Sequence, residues 1–132
     1  MTEQSVFWED LAEDLRDPEF LREFILEAVR IKTVDSIVNA LDQARRQSDL
    51  TKATLARAVS AEPASVRRLF SNPKNPTLHT VSELAASLGY RLTLEPLAGP
   101  GREAISGALI NGSAVDLAEL EAGVDQFDKV AG

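Results

Sequence analysis

The chain has 132 residues and a formal net charge of −7, with 44% hydrophobic and 27% charged side chains, no Cys and one His. That is one domain's worth of an ordinary globular composition. It excludes disulfides, cysteine-ligated zinc or iron–sulfur sites and paired-histidine chemistry, so no metal and no cofactor is expected. No apolar run has the length of a membrane span, and the acidic start MTEQSVFWEDLAEDL lacks a basic leader region. A cytoplasmic location without a membrane partner is the expectation.

Charge is unevenly spread. Residues 1–44 carry 4 basic and 11 acidic side chains, residues 45–91 carry 8 and 3, and residues 92–132 carry 2 and 7. A basic middle between acidic flanks is the pattern of a segment that meets phosphate.

In chain order, Phe7, Leu11 and Leu15 recur at helical spacing, with Trp8 widening the stripe. Asp17 and Pro18 then read as the N-cap and first residue of a second helix. Its apolar residues Phe20, Leu21, Phe24, Ile25, Ala28, Val29 and Ile31 cover a wide arc, which implies burial on more than one side or a partner. A third helix is expected from Thr33 or Val34 to about Gln47, with Ile37, Val38, Leu41 and Ala44 inward. Thr51 caps a short helix that buries Leu55, Ala56 and Val59. A turn over residues 60–62 leads to PASVRRLF, with Val66, Leu69 and Phe70 inward. The loop SNPKNP follows, and Thr77 caps a last helix that ends at Gly89.

YRLTLEPL then switches to period two, with Tyr90, Leu92 and Leu94 on one side and Arg91, Thr93 and Glu95 on the other. One isolated strand cannot satisfy its edges, so the spacing predicts pairing with the same strand of a second copy. AGPG, residues 98–101, reads as a linker. Beyond it, Ile105, Leu109 and Ile110, then Val115, Leu117, Leu120, Val124 and Phe127, suggest weak helices in an acidic, flexible tail.

The expected fold is all-α: a helical bundle with a helix–turn–helix, one short C-terminal β-strand paired across a dimer, and the tail. Three regions are expected: 1–32 as N-terminal helices and partner-binding region, 33–96 as the DNA-binding domain with its dimerisation strand, and 97–132 as the tail.

Two short helices joined by a tight turn form the helix–turn–helix arrangement. At 100° per residue, the inward Val66, Leu69 and Phe70 leave Ala64, Arg68 and Ser71 pointing outward, with Arg67 on the flank. There arginine can grip guanine bidentately or hold phosphate. Lys52 and Lys74 are placed for backbone phosphate. An arginine pair on a helix is also ordinary solvated surface; the local charge and the two lysines favour DNA. Glu62, at the start of the same helix, opposes phosphate.

LTKATLARAVSAEPASVRRLF and NPTLHTVSELAASLG resemble the Cro/CI-type (Xre) helix–turn–helix family. The order DPEFLREFILEAV, VDSIVNALDQARR, helix–turn–helix, NPTLHTVSELAASLGYRLTL is similar to the HigA-type addiction-module antidotes, over roughly residues 17–95. Ser60 stands where that family usually has glycine, and Glu62 where it usually has Ser or Thr. The resemblance implies a dimeric antitoxin of a type II toxin–antitoxin module that represses its own promoter and neutralises a cognate toxin, often a RelE-like ribonuclease. It implies DNA contacts at Lys52, Ala64, Ser65, Arg67, Arg68 and Ser71.

On that reading the acidic flanks meet a basic toxin, with Phe7, Trp8, Leu11, Phe20, Phe24 and Ile25 as anchors. Aromatic residues at helical spacing more often belong to a core, which keeps Phe20 and Phe24 open to either role. A stand-alone transcriptional regulator without a toxin is the alternative. A scaffold that kept the fold and lost DNA binding is a third possibility. No enzyme is expected: His79 is alone in sequence, with no nucleophile paired to it, and the acids Asp10, Glu13 and Asp14 share one helix face where solvation explains them.

Overall fold

The computed structural model describes residues 3–113 and 116–128; the side chains of residues 3–8, and so those of Phe7 and Trp8, lie outside the described residues, as does Val115. Among the described residues every regular element is helical. They are α1 (Glu3–Asp14), α2 (Pro18–Gln47), α3 (Lys52–Ala58), α4 (Pro63–Ser71), α5 (Leu78–Ser87), α6 (Pro100–Asn111) and α7 (Leu117–Asp125), with a 3-10 turn over Gln126–Asp128. The chain is an all-α helical bundle.

The second and third expected helices are one. α2 runs unbroken for 30 residues, because no Gly or Pro follows Pro18 until Pro63, so nothing breaks the helix ahead of Thr33 and Val34. Asp17 does cap it: Oδ1 accepts from the Glu19 N–H at 3.0 Å.

Two compact units divide the chain, residues 1–31 with 96–129, and residues 32–95. In the first unit Leu11, Leu15, Leu21 and Ile25 share one core with Ile105, Ala108, Leu120 and Val124. This corrects the expected flexible tail. Residues 100–125 supply half of that core's buried residues. The supposed linker is a helix start: Gly99 takes φ 64 at the N-cap and Pro100 is the first helical residue. Gln126 fastens it, its Oε1 accepting from Ala98 N–H at 2.8 Å and its Nε2 donating to Ala98 O at 2.9 Å. α6 and α7 touch at Gly101 and Gly123. A Cβ built on Gly123 would lie 2.6 Å from Gly101 O, so both positions need a bare backbone.

In the second unit Val38, Leu41, Leu55, Val66, Leu69, Val81, Leu84 and Ala85 form the core. α3 and α5 are capped by the threonines their sequence predicts. Thr51 Oγ1 accepts from Thr54 N–H and Thr77 Oγ1 from Thr80 N–H, both at 3.1 Å. Two ends close with the paired backbone bonds of a Schellman motif. At α5 these are Gly89 N to Ala86 O and Tyr90 N to Ala85 O, with Gly89 at φ 85. At α2 they are Asp49 N to Arg46 O and Leu50 N to Arg45 O, with Asp49 itself at φ 56.

After Gly89 the period-two segment carries no regular structure. Tyr90, Leu92 and Leu94 are exposed, Leu94 almost completely.

Candidate nucleic-acid interface

The candidate interface lies on α4. Val66 and Leu69 are buried beneath it and Phe70 is half-buried. That fixes the rotation of the helix and turns Ala64, Arg67, Arg68 and Ser71 to solvent, while Ser65 is half-covered. The outward direction expected from helical geometry is the one the core imposes. Pro63 supplies the first helical residue. Glu62 occupies the N-cap without a side-chain hydrogen bond, leaving its carboxylate on the surface beside the positive end of the helix.

Lys52, at the start of α3, is exposed, with Nζ 5.6 Å from the centroid of the Phe70 ring, which keeps its charge beside α4. Lys74 is exposed in the loop after α4. Between α4 and that loop lies an open groove of about 490 Å³, lined by Ser65, Arg68, Asn72, Lys74, Asn75 and Thr77 among others. The structure therefore gathers Ser65, Arg68 and Lys74 at one groove, with Arg67 on the open face of the same helix. The two asparagines were missed by sequence reading, because an Asn beside Pro signals a turn as readily as a ligand.

Two contacts limit how these side chains are held. Ser71 Oγ donates back to Arg67 O at 2.9 Å, and Arg68 Nε reaches Ala64 O only at 3.4 Å. Neither arginine takes part in an ion pair among the described residues. Arg45 and Arg46 differ, both pairing with Asp42, at 2.8 and 2.9 Å. Burial pushes the Asp42 carboxyl up, but the Arg45 hydrogen bond and the charges of Arg45, Arg46 and Lys52 together hold it below the usual range.

The connection between α3 and α4, residues 59–62, is clamped to α5. Ser60 Oγ lies 2.7 and 2.9 Å from the two Glu83 carboxylate oxygens, and Ser60 N–H donates to Oε1 at 3.2 Å. His79 Nε2 stands 2.7 Å from Glu83 Oε2 and 3.2 Å from Ser60 Oγ. Serine, histidine and carboxylate thus meet, which sequence reading missed. In a nucleophile-activating relay the carboxylate would engage the other ring nitrogen. Here both partners meet on Nε2 and the hydroxyl is committed to the carboxylate, so the geometry is that of a clamp. Ser60 is not in the left-handed region, so the turn needs no glycine there.

The anchors expected in the acidic region separate by burial. Leu11 and Ile25 are core residues, 7% and 0% exposed, which removes them as partner contacts: the wide apolar arc of α2 is explained in part by α6 and α7. Phe24 packs against the same core, and Phe20 is at the surface, 37% exposed. The charge division follows the structural one. Residues 1–31 and 96–129 hold 15 acidic and 5 basic side chains, residues 32–95 hold 6 and 9.

Among the described residues no group of His, Cys, Asp or Glu is placed to hold a metal, and no helix is long and apolar enough to cross a membrane. Neither a protein-family model, nor a curated protein, nor a solved structure matches the chain.

Proposed function

We propose that the chain is a DNA-binding antitoxin: its basic unit grips an operator as a homodimer and represses its own promoter, and its acidic unit binds a basic cognate toxin of the RelE-like ribonuclease type. α3, the turn and α4 act as a Cro/CI-type helix–turn–helix, with α4 in the major groove. Arg67 and Arg68 reach guanine edges or phosphate, Ser65 and Ala64 face the bases, and Lys52, Ser71 and Lys74 take the backbone.

The observation that carries this reading is the placement of Arg67 and Arg68 side by side in solvent on α4, between Lys52 and Lys74, in the unit whose net charge is +3 while the other holds −10. An acidic surface with Phe20 and Ile31 exposed suits a basic ribonuclease, charge speeding the encounter and apolar contacts holding it.

Electrophoretic shift on the DNA upstream of its own gene tests the first half. A shift that weakens steeply with salt is expected, and no shift at low salt sinks it. Pull-down from the host tests the second half. A small basic protein is expected; a chain that binds DNA and recovers none is a stand-alone regulator.

A further inference from the structure

Among the described residues, no hydrogen bond within the chain reaches the backbone N–H or C=O groups of Arg91, Leu92, Thr93, Leu94 or Glu95. All five residues are exposed, Leu92 and Leu94 at 40% and 98%. Gly89 breaks the helix before this run, and Pro96, which has no N–H, closes it. Unused ladder groups with apolar side chains at alternate positions are the edge that another strand completes.

We propose that a second copy of this chain occupies this edge, in an antiparallel ladder whose two-fold axis passes through Thr93. Leu92 then lies opposite the partner's Leu94, and Arg91 opposite the partner's Glu95, each pair occurring twice.

The segment's own charges select that register. Residues opposite one another in an antiparallel pair share a face. An axis between two residues would set Leu92 against a polar neighbour's position and mix the faces, so the axis falls on a residue. On Arg91 it opposes two arginines, and on Glu95 two glutamates. On Leu92 it sets Arg91 against threonine and Glu95 against glycine. On Leu94 it draws Pro96 into the ladder opposite leucine and leaves Arg91 facing the partner's Leu97. Only the axis on Thr93 gives both charges an opposite partner, gathers the leucines on one face, and leaves Pro96 just outside the five paired residues.

This deepens the homodimer of the reading above and rests on it for a partner copy, but not on DNA. The test is sedimentation equilibrium of the full chain without DNA, with circular dichroism confirming that each variant is folded. The wild type should be a reversible dimer. Arg91→Glu and Glu95→Arg should each weaken it by about tenfold or more, since each sets like charges opposite twice, and the double reversal should return to within about threefold of wild type. Thr93→Cys, the single thiol in a chain with no cysteine, should link to itself under mild oxidation. A wild type that stays monomeric at every concentration overturns the homodimer. A dimer in which the double reversal remains as weak as the single ones overturns the register alone, and the shift assay judges DNA binding separately.

Discussion

Ser60 in the connection between α3 and α4 hydrogen-bonds the carboxylate of Glu83 on α5 through both its hydroxyl and its backbone N–H. The turn is thereby fastened to α5. The Ser60 hydrogen bonds, with the nearby His79 ring, outweigh desolvation and hold the Glu83 carboxyl below its ordinary value of 4.5. A carboxyl lowered by folding adds stability above its unfolded value and loses it as pH falls through the folded one. Ser60→Ala should lower the melting temperature by about 2–5 °C at neutral pH. The gap between the two proteins should close as pH drops below 4.5. A gap that is unchanged in acid would show that the carboxylate is not the partner that matters.

For DNA, Arg68→Ala should flatten the salt dependence by about 0.9 for each phosphate that Arg68 neutralises. If Arg68 reads a base, the loss is instead about 1–3 kcal/mol at one operator position, with the salt slope retained. A filter-binding series over salt, repeated with single-base operator variants, separates the two. Arg46→Ala is the control, because Arg46 is already paired with Asp42; an equal effect there would reduce Arg68 to bulk charge.

Gly123→Ala should destabilise the first unit by about 1–3 kcal/mol. The new methyl meets the Gly101 carbonyl and Ile105 Cγ1 at 2.6 and 2.7 Å, and a backbone carbonyl cannot swing aside as a side chain can. Urea denaturation measures it. Gly107 on α6, with nothing within 4 Å of its would-be Cβ, should accept alanine without loss.

The two Schellman ends make opposite predictions. Asp49→Gly should stabilise by up to about 1 kcal/mol, since it relieves a left-handed L-residue. Gly89→Ala should cost about the same. Both are read from the same denaturant curves.

Leu11→Ala should cost about 2–5 kcal/mol of stability, and Phe20→Ala about 1 kcal/mol or less. Binding of a basic partner should respond in the reverse order. If Leu11→Ala leaves stability unchanged, the shared core of the N-terminal helices and α6 and α7 is wrong.

Local signals written in a few adjacent residues were legible without a structure. Thr51, Thr77, Asp17 and Gly89 mark helix ends by chemistry that acts within four residues. The inward set Val66, Leu69 and Phe70 follows from helical geometry, and it settles where Arg67 and Arg68 point. What needed the tertiary structure joins residues far apart in the chain. That Ile105 and Val124 bury Leu11 and Ile25, that Gln126 holds Ala98, and that Ser60 meets Glu83 depend on which apolar faces find each other. A periodic pattern says that a face must be covered, not by what. The acidic tail misled because charge describes only its solvent side, while the buried side of α6 and α7 is set by a few small and aliphatic residues.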